Sequence, residues 1–299
     1  MVVNDKKRIF VSSGAGQTGR HVLDELMKLK ETKNIAAGVF SEEESNQRSA
    51  LEKYNIETVS FDGMKPETIR NALKDVHTLI LIPVGHEKRV SIAKNFINEV
   101  ENQPSIEHVI LLSTFGADNE DYYFAQQFSE IEKHLHFSKF SKWTIVRPNF
   151  YAENLLIYAD DIRSGKLRLP IDIGKFSPLS VADVATMVRN ILSQDVSKHL
   201  GKIYEMSGPK ALSGTDIALI GSKLLDKKIE YQNVEEGEAK EFLKKRHTNP
   251  DTLRGLMEFY MLVREGRLNV VCVNDFERVC NKKATGLSEF FEKYSDQLK

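Results

Sequence analysis

The sequence predicts an α/β protein with a doubly wound parallel sheet, followed by a smaller, partly helical C-terminal domain. Three observations support this fold class. Short apolar runs alternate with amphipathic stretches from the first strand onward. The runs Thr78–Ile82 and Val109–Leu112 are apolar, which is typical of parallel strands that are covered on both faces. A glycine-rich turn also joins the first apolar run to the first amphipathic stretch.

The alternation of the two patterns defines the elements of the first half of the chain. The predicted strands are Ile9–Val11, Ile35–Phe40, Thr58–Phe61, Thr78–Ile82, Val109–Leu112 and Thr144–Arg147. The predicted helices between them are His21–Leu29, 42–54, Pro66–Leu73, Glu87–Glu101 and Phe124–Phe137. Strands that alternate with helices in this way are expected to be joined by right-handed crossovers.

The pattern loosens after Pro148. Ser180–Asp183 has the spacing of a capping box that opens a helix through Leu192, and Thr215–Leu225 is a further amphipathic helix. We therefore predict a nucleotide-binding type of domain over residues 1–150, to which 175–195 returns, and a smaller domain over 151–299. The second domain is expected to pack over the carboxyl ends of the strands, where open α/β sheets bind ligands.

The composition is that of an ordinary globular protein. The 299 residues are 41% hydrophobic and carry 42 basic and 43 acidic side chains, for a formal net charge of −1. Because the charges balance, we expect no direct nucleic-acid partner and no membrane partner. The most apolar stretch, Leu79–Val84, is much shorter than the roughly 20 residues that cross a bilayer.

The cysteines and the first residues bear on the compartment. Cys272 and Cys280 are too few for a disulfide framework and lack metal-site spacing, so we expect reduced thiols and no metal centre. The polar run Asn4–Arg8 precedes the first apolar strand, where a secretory leader would need an apolar segment. We therefore expect a cytoplasmic protein, with shuttling to the nucleus left open.

The sharpest motif is a Gly-x-Gly-x-x-Gly sequence between the first predicted strand and the first predicted helix. Gly14 permits a tight turn, Gly16 lets the backbone approach a pyrophosphate, and Gly19 lets the helix pack closely on the strand. The helix N-terminus then offers unpaired N–H groups and a partial positive charge to phosphates. This context predicts a Rossmann domain that binds a dinucleotide, and a glycine turn without a ligand is the alternative. The candidate cofactor-binding residues in this loop are Gly14, Gly16, Gln17, Thr18, Gly19 and Arg20.

The choice between NAD and NADP depends on the end of the second strand. An acidic residue there holds the ribose hydroxyls of NAD, whereas a basic residue favours the 2′-phosphate of NADP. This chain has Phe40 and Ser41, followed by the acidic run Glu42–Glu44, which would repel a phosphate. Arg20 is the nearest predicted cation. Asp62, after the third strand, either meets the adenine edge or caps a turn, so both cofactors remain open.

Several ordered segments resemble the NmrA-like family, which comprises atypical members of the short-chain dehydrogenase/reductase group. The matching segments are Ser13–Arg20, 61–62, 66–69, 81–83, 129–135, 143–154, Ser180–Asp183 and 202–209. The resemblance implies a nicotinamide dinucleotide, usually NADP, bound between a Rossmann domain and a small C-terminal domain. It also adds Pro83, Val84, Ser113, Pro148 and Phe150 to the candidate cofactor-binding residues.

The resemblance breaks at the catalytic positions. Reductases of the wider group use a Tyr-x-x-x-Lys pair on the helix after the fifth strand, in which the tyrosine donates a proton. Counting back from Glu132, the equivalent residues are Phe124 and Phe128, which have no titratable atom. An aromatic cluster is the favoured interpretation, and a site relocated to Tyr122 or Tyr123 is the alternative. Ser113 alone has no base to activate it, so we expect it to cap the loop and predict no catalytic residue.

Two functions follow from an intact glycine loop beside an absent catalytic pair. The first is a transcriptional or metabolic regulator, or redox sensor, that binds NAD(P) and acts on a protein partner without being an enzyme. The second is an NAD(P)H-dependent reductase of a quinone-like or other small carbonyl substrate, since the cofactor carries most of that chemistry. The sequence favours the first function.

Overall fold

The structure is a computed structural model that describes residues 7–29, 34–118, 122–246, 249–268 and 272–299. The chain divides into two compact units, one of residues 1–147 with 184–204 and the other of residues 148–183 with 205–299. The expected ranges were 1–150 with 175–195, and 151–299. In the structure the chain returns to the first unit later, from residue 184 to 204.

The strands described by the structure fall into one large and two small sheets. They are β1 (Arg8–Val11), β2 (Ile35–Phe40), β3 (Glu57–Phe61), β4 (Val76–Leu81), β5 (His108–Leu112), β6 (Trp143–Pro148), β7 (Lys166–Leu169), β8 (Lys175–Phe176), β9 (Lys202–Met206), β10 (Leu212–Ser213) and β11 (Glu230–Asn233). The large sheet has seven strands in the order β3-β2-β1-β4-β5-β6-β9. The neighbours from β3 to β6 pair in parallel. This is the strand order of a Rossmann fold, and it reverses between β1 and β4.

Helices flank the sheet of the first unit and form a large part of the second unit. They are α1 (Gln17–Leu26), α2 (Glu44–Leu51), α3 (Pro66–Ala72), α4 (Arg89–Val100), α5 (Tyr123–His136), α6 (Ala159–Arg163), α7 (Val181–Ser193), α8 (Gly214–Leu225), α9 (Glu236–Arg246), α10 (Pro250–Arg264), α11 (Asp275–Cys280), α12 (Leu287–Lys293) and α13 (Ser295–Leu298). The predicted fold class is therefore confirmed. In the described part of the chain, no helix has the length and apolar character needed to cross a bilayer.

The core of the first unit explains why the predicted strands were visible in the sequence. Phe10, Leu79 and Val109 on the three central strands are fully buried, as parallel strands covered on both faces require. On α1 the side chains of Val22 and Leu26 are fully buried at helical spacing. The helix nevertheless begins at Gln17, before the predicted start at His21, because the last residues of the glycine motif already form its first turn.

The second unit has its own core around large side chains, including the fully buried Tyr158 and Tyr260. It contains two small sheets, in which β8 pairs with β10 in antiparallel fashion and β7 pairs with β11 in parallel. Helix α8 begins with a reciprocal capping box between Ser213 and Asp216. The capped helix and the separate core show that this part of the chain is a packed domain.

The prediction of a capping box at Ser180–Asp183 is wrong, because the N–H of Asp183 donates to the backbone carbonyl oxygen of Ser180 at 3.0 Å and not to its Oγ. The N–H of Val181 donates to the carboxylate of Glu153 at 3.1 Å, and the N–H of Ala182 donates to Ser180 Oγ at 3.2 Å. The Asp183 carboxylate accepts instead from the N–H and the hydroxyl of Thr285, at 2.6 and 2.9 Å. Because buried Glu153 supplies the second acceptor for the N-terminus of α7, Asp183 is available for a contact distant in sequence.

A buried polar chain in the first unit contains two histidines. His108 Nε2 donates to Thr144 Oγ1 at 2.8 Å, since the Thr144 hydroxyl proton is used toward the carbonyl oxygen of His199 at 2.8 Å. His199 Nδ1 lies 2.9 Å from the hydroxyl of Tyr204. None of the residues that the structure describes forms a hydrogen bond with His108 Nδ1, so a proton there would be buried without compensation. Burial, with a smaller effect of His199, lowers the pKa of His108 to about 4.

This arrangement predicts that the first unit loses stability in mild acid. The unfolded chain takes up the His108 proton near the ordinary pKa of about 6.5, whereas the folded chain takes it up only near pH 4, so stability is lost as the pH falls between these values. We expect this residue to account for about 2 kcal/mol of the free energy of unfolding lost between pH 7 and pH 5. His108→Gln keeps a hydrogen-bond donor toward Thr144 but cannot take up a proton. The variant should therefore lose about 2 kcal/mol less of its free energy of unfolding between pH 7 and pH 5. Urea unfolding followed by Trp143 fluorescence measures this difference. An equal pH dependence in the variant would contradict the assignment.

Candidate dinucleotide-binding site

The three glycines of the loop have different surroundings. A Cβ on Gly14 would lie 2.6 Å from the Cβ of Ala37, and one on Gly19 would lie 2.0 Å from the carbonyl oxygen of Ser13. Both glycines are therefore required by the packing of the protein itself. A Cβ on Gly16 would have Ser13 O at 3.4 Å as its nearest neighbour, and the backbone there is extended, with φ −66° and ψ 166°. The packing of the protein does not require a glycine at position 16. The absence of a side chain there instead leaves space for a group that approaches from outside the protein.

The N-terminus of α1 is suited to an anion. Gly16 occupies the N-cap position and has no side chain that could accept a hydrogen bond from the first turn, and that turn contains no acidic residue. The first N–H groups of the helix and its partial positive charge therefore remain available to a phosphate. Together with the open side of Gly16, this shows that the loop fits the pyrophosphate of a dinucleotide.

Two serines that the sequence analysis did not single out fix the loop to the neighbouring strand. Ser12 Oγ accepts from the N–H of Ile82 at 2.9 Å, and Ser13 Oγ donates to the carbonyl oxygen of Ile82 at 2.8 Å. Ile82 directly follows β4, across the point where the strand order reverses. The glycine loop and the segment that leads to Pro83 and Val84 are thereby held together before any ligand arrives.

The same segment is held at its other end by Arg89 at the start of α4. Arg89 Nε donates to the carbonyl oxygen of Val84 at 2.7 Å, and Nη1 donates to the amide oxygen of Gln127. The guanidinium lies 4.6 Å from the ring centroid of Phe124 and 5.3 Å from that of Phe128, within the range of cation–π contacts. Because Arg89 is only 4% exposed, this cluster is a packed part of the first unit.

The aromatic interpretation of Phe124 and Phe128 agrees with this geometry. The two rings lie 6.4 Å apart in an edge-to-face arrangement and share one buried cation. The hydroxyl of Tyr122 donates to the carbonyl oxygen of Phe115 at 3.0 Å. The region of the Tyr-x-x-x-Lys positions therefore does contain a cation, which the sequence analysis missed because Arg89 lies on a different helix.

Ser113 is not alone at the end of its strand, because a carboxylate that the sequence analysis did not pair with it accepts its hydrogen bond. Ser113 directly follows β5, and its hydroxyl donates to Oε1 of Glu132 on α5. Arg147 on β6 holds that carboxylate with two hydrogen bonds, from Nε to Oε1 at 3.0 Å and from Nη2 to Oε2 at 2.7 Å. The three side chains are all nearly buried. Glu132 and Arg147 were part of the family resemblance, but nothing in their spacing of fifteen residues paired them with Ser113.

The adenosine side of the candidate site is open and mixed in charge. The Phe40 ring packs on Phe61, with centroids 4.7 Å apart, and its N–H donates to the side chain of Gln47 at 2.9 Å. Ser41 begins an exposed 3₁₀ turn that contains Glu42. The side chain of Glu44 lies outside the described part of the chain.

Two charged candidates on this side of the first unit have different roles. Asp62 forms a turn, since its Oδ1 accepts from the N–H of Met64 at 2.9 Å and its Oδ2 lies 3.2 Å from the Lys65 ammonium. Both contacts lower the pKa of Asp62, and the hydrogen bond from the Met64 N–H has the larger effect. Arg20 is exposed on the first turns of α1, and no described residue makes an ion pair with its guanidinium. Arg20 is therefore the better candidate for contact with a ligand.

The two remaining candidates from the resemblance lie at the start of the second unit. Pro148 ends β6, and Phe150 belongs to the aromatic core of that unit, where it stacks on Phe259 with centroids 4.7 Å apart. Phe150 is 8% exposed, so most of its ring serves the core. Among the described residues, no group of histidine, cysteine, aspartate and glutamate side chains is arranged to hold a metal ion.

The strand order, the uncapped helix and the open glycine define a protein of the Rossmann type with a candidate dinucleotide-binding site. A comparison with known families identifies its branch. The chain belongs to the NmrA-like family, whose model matches residues 5–296. The resemblance inferred from the motifs is therefore confirmed.

Three known proteins are similar to this chain over most of its length. The "Prestalk A differentiation protein A" of Dictyostelium discoideum is 24% identical, over 90% of this chain and 86% of that protein. The "NAD(P)H azoreductase" of Xenophilus azovorans is 24% identical, over 94% of this chain and 96% of that protein. The structure of an NADPH-dependent quinone oxidoreductase of Escherichia coli in complex with NADPH is 25% identical, covers 95% of this chain and 99% of that one, and gives a TM-score of 0.82.

The glycine geometry predicts that binding and folding can be separated by mutation. Gly16→Ala should leave the thermal unfolding midpoint nearly unchanged and weaken NADP⁺ binding about tenfold or more, because the methyl group lies where the pyrophosphate must approach. Gly19→Ala should destabilise the fold, because its Cβ overlaps the Ser13 carbonyl.

Calorimetric titration and differential scanning fluorimetry measure the two effects. Gly237→Ala is the matched control, since a Cβ there meets nothing within 4 Å. Unchanged NADP⁺ binding in Gly16→Ala would refute the proposed approach of the pyrophosphate to this glycine.

Proposed function

We propose that this protein is an NAD(P)H-dependent reductase of quinone-like acceptors that transfers hydride without a proton donor from the Tyr-x-x-x-Lys positions. The observation that carries the proposal is the match over nearly the whole chain to an NAD(P)H azoreductase and to an NADPH-dependent quinone oxidoreductase, in a chain whose glycine loop is suited to the dinucleotide. Phe124 and Phe128 at the Tyr-x-x-x-Lys positions then restrict the acceptors that can be reduced. When bound, the reduced nicotinamide supplies the hydride. The residues of the chain bind the cofactor and the acceptor and orient them toward each other. The acceptor must therefore be one that can be reduced without acid catalysis by the protein.

The absent proton donor restricts the substrate. Reduction of a simple aldehyde or ketone produces an alkoxide, for which a positioned acid contributes about 10²- to 10⁴-fold in rate. Reduction of a quinone produces a delocalised phenolate anion, which takes its proton from water afterwards. Phe124 and Phe128 cannot donate a proton, and the Ser113 proton is directed at Glu132. The site therefore supports acceptors whose hydride adduct is already a stabilised anion.

The relatives of similar length agree with this substrate class. Two of the three proteins compared above are named as reductases of azo compounds or quinones, and both match nearly from end to end. Their names include NAD(P)H or NADPH. We propose NADP(H) for this chain as well, with the exposed Arg20 as the cation for the 2′-phosphate and with Glu42 turned to solvent.

A regulatory function remains the second candidate. It is favoured by the replacement of both catalytic residues, and one relative is named for its role in differentiation. In that function the chain would bind NAD(P) and respond to its redox state by binding a protein partner. The two candidates differ in turnover, because a regulator needs none.

The test is steady-state oxidation of NADPH and NADH, followed at the nicotinamide absorbance, with a panel of benzoquinones and naphthoquinones beside benzaldehyde and cyclohexanone. We expect saturable turnover with quinones that exceeds the aldehyde and ketone rates by about 100-fold, and faster turnover with NADPH than with NADH. The quinone rate should be independent of pH between pH 6 and pH 8, as no titrating acid takes part.

Gly16→Asp, which places a bulky anion in the loop, is the control for contaminating activity and should lose turnover. Tight NADP⁺ binding without quinone turnover would reject the reductase and favour the regulator. Efficient reduction of benzaldehyde would contradict the substrate class.

A further inference from the structure

The hydroxyl of Ser113 donates its hydrogen bond in one fixed direction. Its oxygen carries one proton, and that proton is donated to Glu132 Oε1. An ionised carboxylate has only acceptor sites, so the direction of this hydrogen bond cannot reverse. The strength of a charge-assisted hydrogen bond keeps the hydroxyl in this rotamer.

The carboxylate that fixes Ser113 is itself immobile. Arg147 binds Glu132 through Nε and Nη2 at 3.0 and 2.7 Å, and Arg147 Nη1 lies 3.5 Å from Asp118. The Glu132 and Arg147 side chains are each 9% exposed. A buried, two-point ion pair of this kind resists rotation, because breaking it would leave the buried Glu132 carboxylate without its cation.

The lone pairs of Ser113 remain available. No described residue donates a hydrogen bond to Ser113 Oγ, although the residue is only 6% exposed. Ser113 continues β5, with its N–H bonded to the carbonyl oxygen of Val146 at 2.7 Å. It therefore lies at the carboxyl end of a central strand, next to β4, whose carboxyl end carries the Ile82 segment. In an open α/β sheet, this is the edge at which a ligand is bound.

We propose that Ser113 accepts a hydrogen bond from the carboxamide N–H of the nicotinamide and does not act as a proton donor to the substrate. This inference rests on the proposed binding of NAD(P)H. The carboxamide is the group at the reactive end of the cofactor that offers N–H donors. Glu132 and Arg147 are then positioning residues, which keep Ser113 turned as an acceptor and so fix the rotation of the nicotinamide ring.

The test compares NADP⁺ with its 3-acetylpyridine analogue, in which a methyl ketone without an N–H replaces the carboxamide. Calorimetric titration measures the Kd of both dinucleotides for the wild type and for Ser113→Ala. We expect Ser113→Ala to raise the Kd of NADP⁺ about fivefold, the value of one net hydrogen bond, and to change the Kd of the analogue less than twofold.

A second pair of variants protects the test against misfolding. Ser113→Thr retains the hydroxyl and Ser113→Val replaces it with a methyl group of similar size, so both add the same bulk at a buried position. The Thr variant should bind NADP⁺ more tightly than the Val variant by a similar factor, with no such difference for the analogue.

Equal effects on the two dinucleotides, or no effect on either, would overturn the inference while leaving the binding of NADP⁺ by the wild type intact. Failure of the wild type to bind either dinucleotide would overturn the proposed function together with this inference.

Discussion

The close approach of α1 to β1 determines the rest of the candidate site. Gly14 and Gly19 have no room for a Cβ, because Ala37 and the Ser13 carbonyl occupy that space. Because neither residue has a side chain, the uncapped N-terminus of α1 can lie at the carboxyl edge of the sheet. There Ser12 and Ser13 hold the glycine loop against Ile82. Two hydrogen-bonded serines and two packing glycines thus fix the backbone of the candidate anion site in the absence of a ligand.

A second constraint is electrostatic. The region in which related enzymes have a tyrosine and a lysine is filled here by Phe124, Phe128 and the buried guanidinium of Arg89. The aromatic faces and the Val84 carbonyl stabilise the cation, and the cation in turn fixes the segment after β4. A packed cluster of this kind supplies positive charge and rigidity but no proton. This difference separates binding of a dinucleotide from acid catalysis and leads to quinone-like acceptors as the proposed substrates.

The sequence predicted those parts of the structure that depend on local patterns. The six strands of the first half and the glycine loop follow from periodicity and motif spacing. The clusters built from separate elements were not predictable, since Arg89 meets Phe124 across two helices and Ser113 meets Glu132 and Arg147 across three elements. The capping box at Ser180 failed for a related reason, because Asp183 bonds to Thr285, which is distant in the chain. Spacing along one chain segment carries no information about such pairs.

In the proposed reductase, hydride transfer proceeds without a protein proton moving in the same step. Isotope effects on quinone reduction test this most directly, with NADPH deuterated at the transferred position in one experiment and D₂O as solvent in the other. We expect a primary isotope effect well above unity for the labelled cofactor and a solvent isotope effect close to unity. A solvent effect comparable to the primary effect would contradict the claim, because it would require a proton from the protein or an ordered water to move together with the hydride.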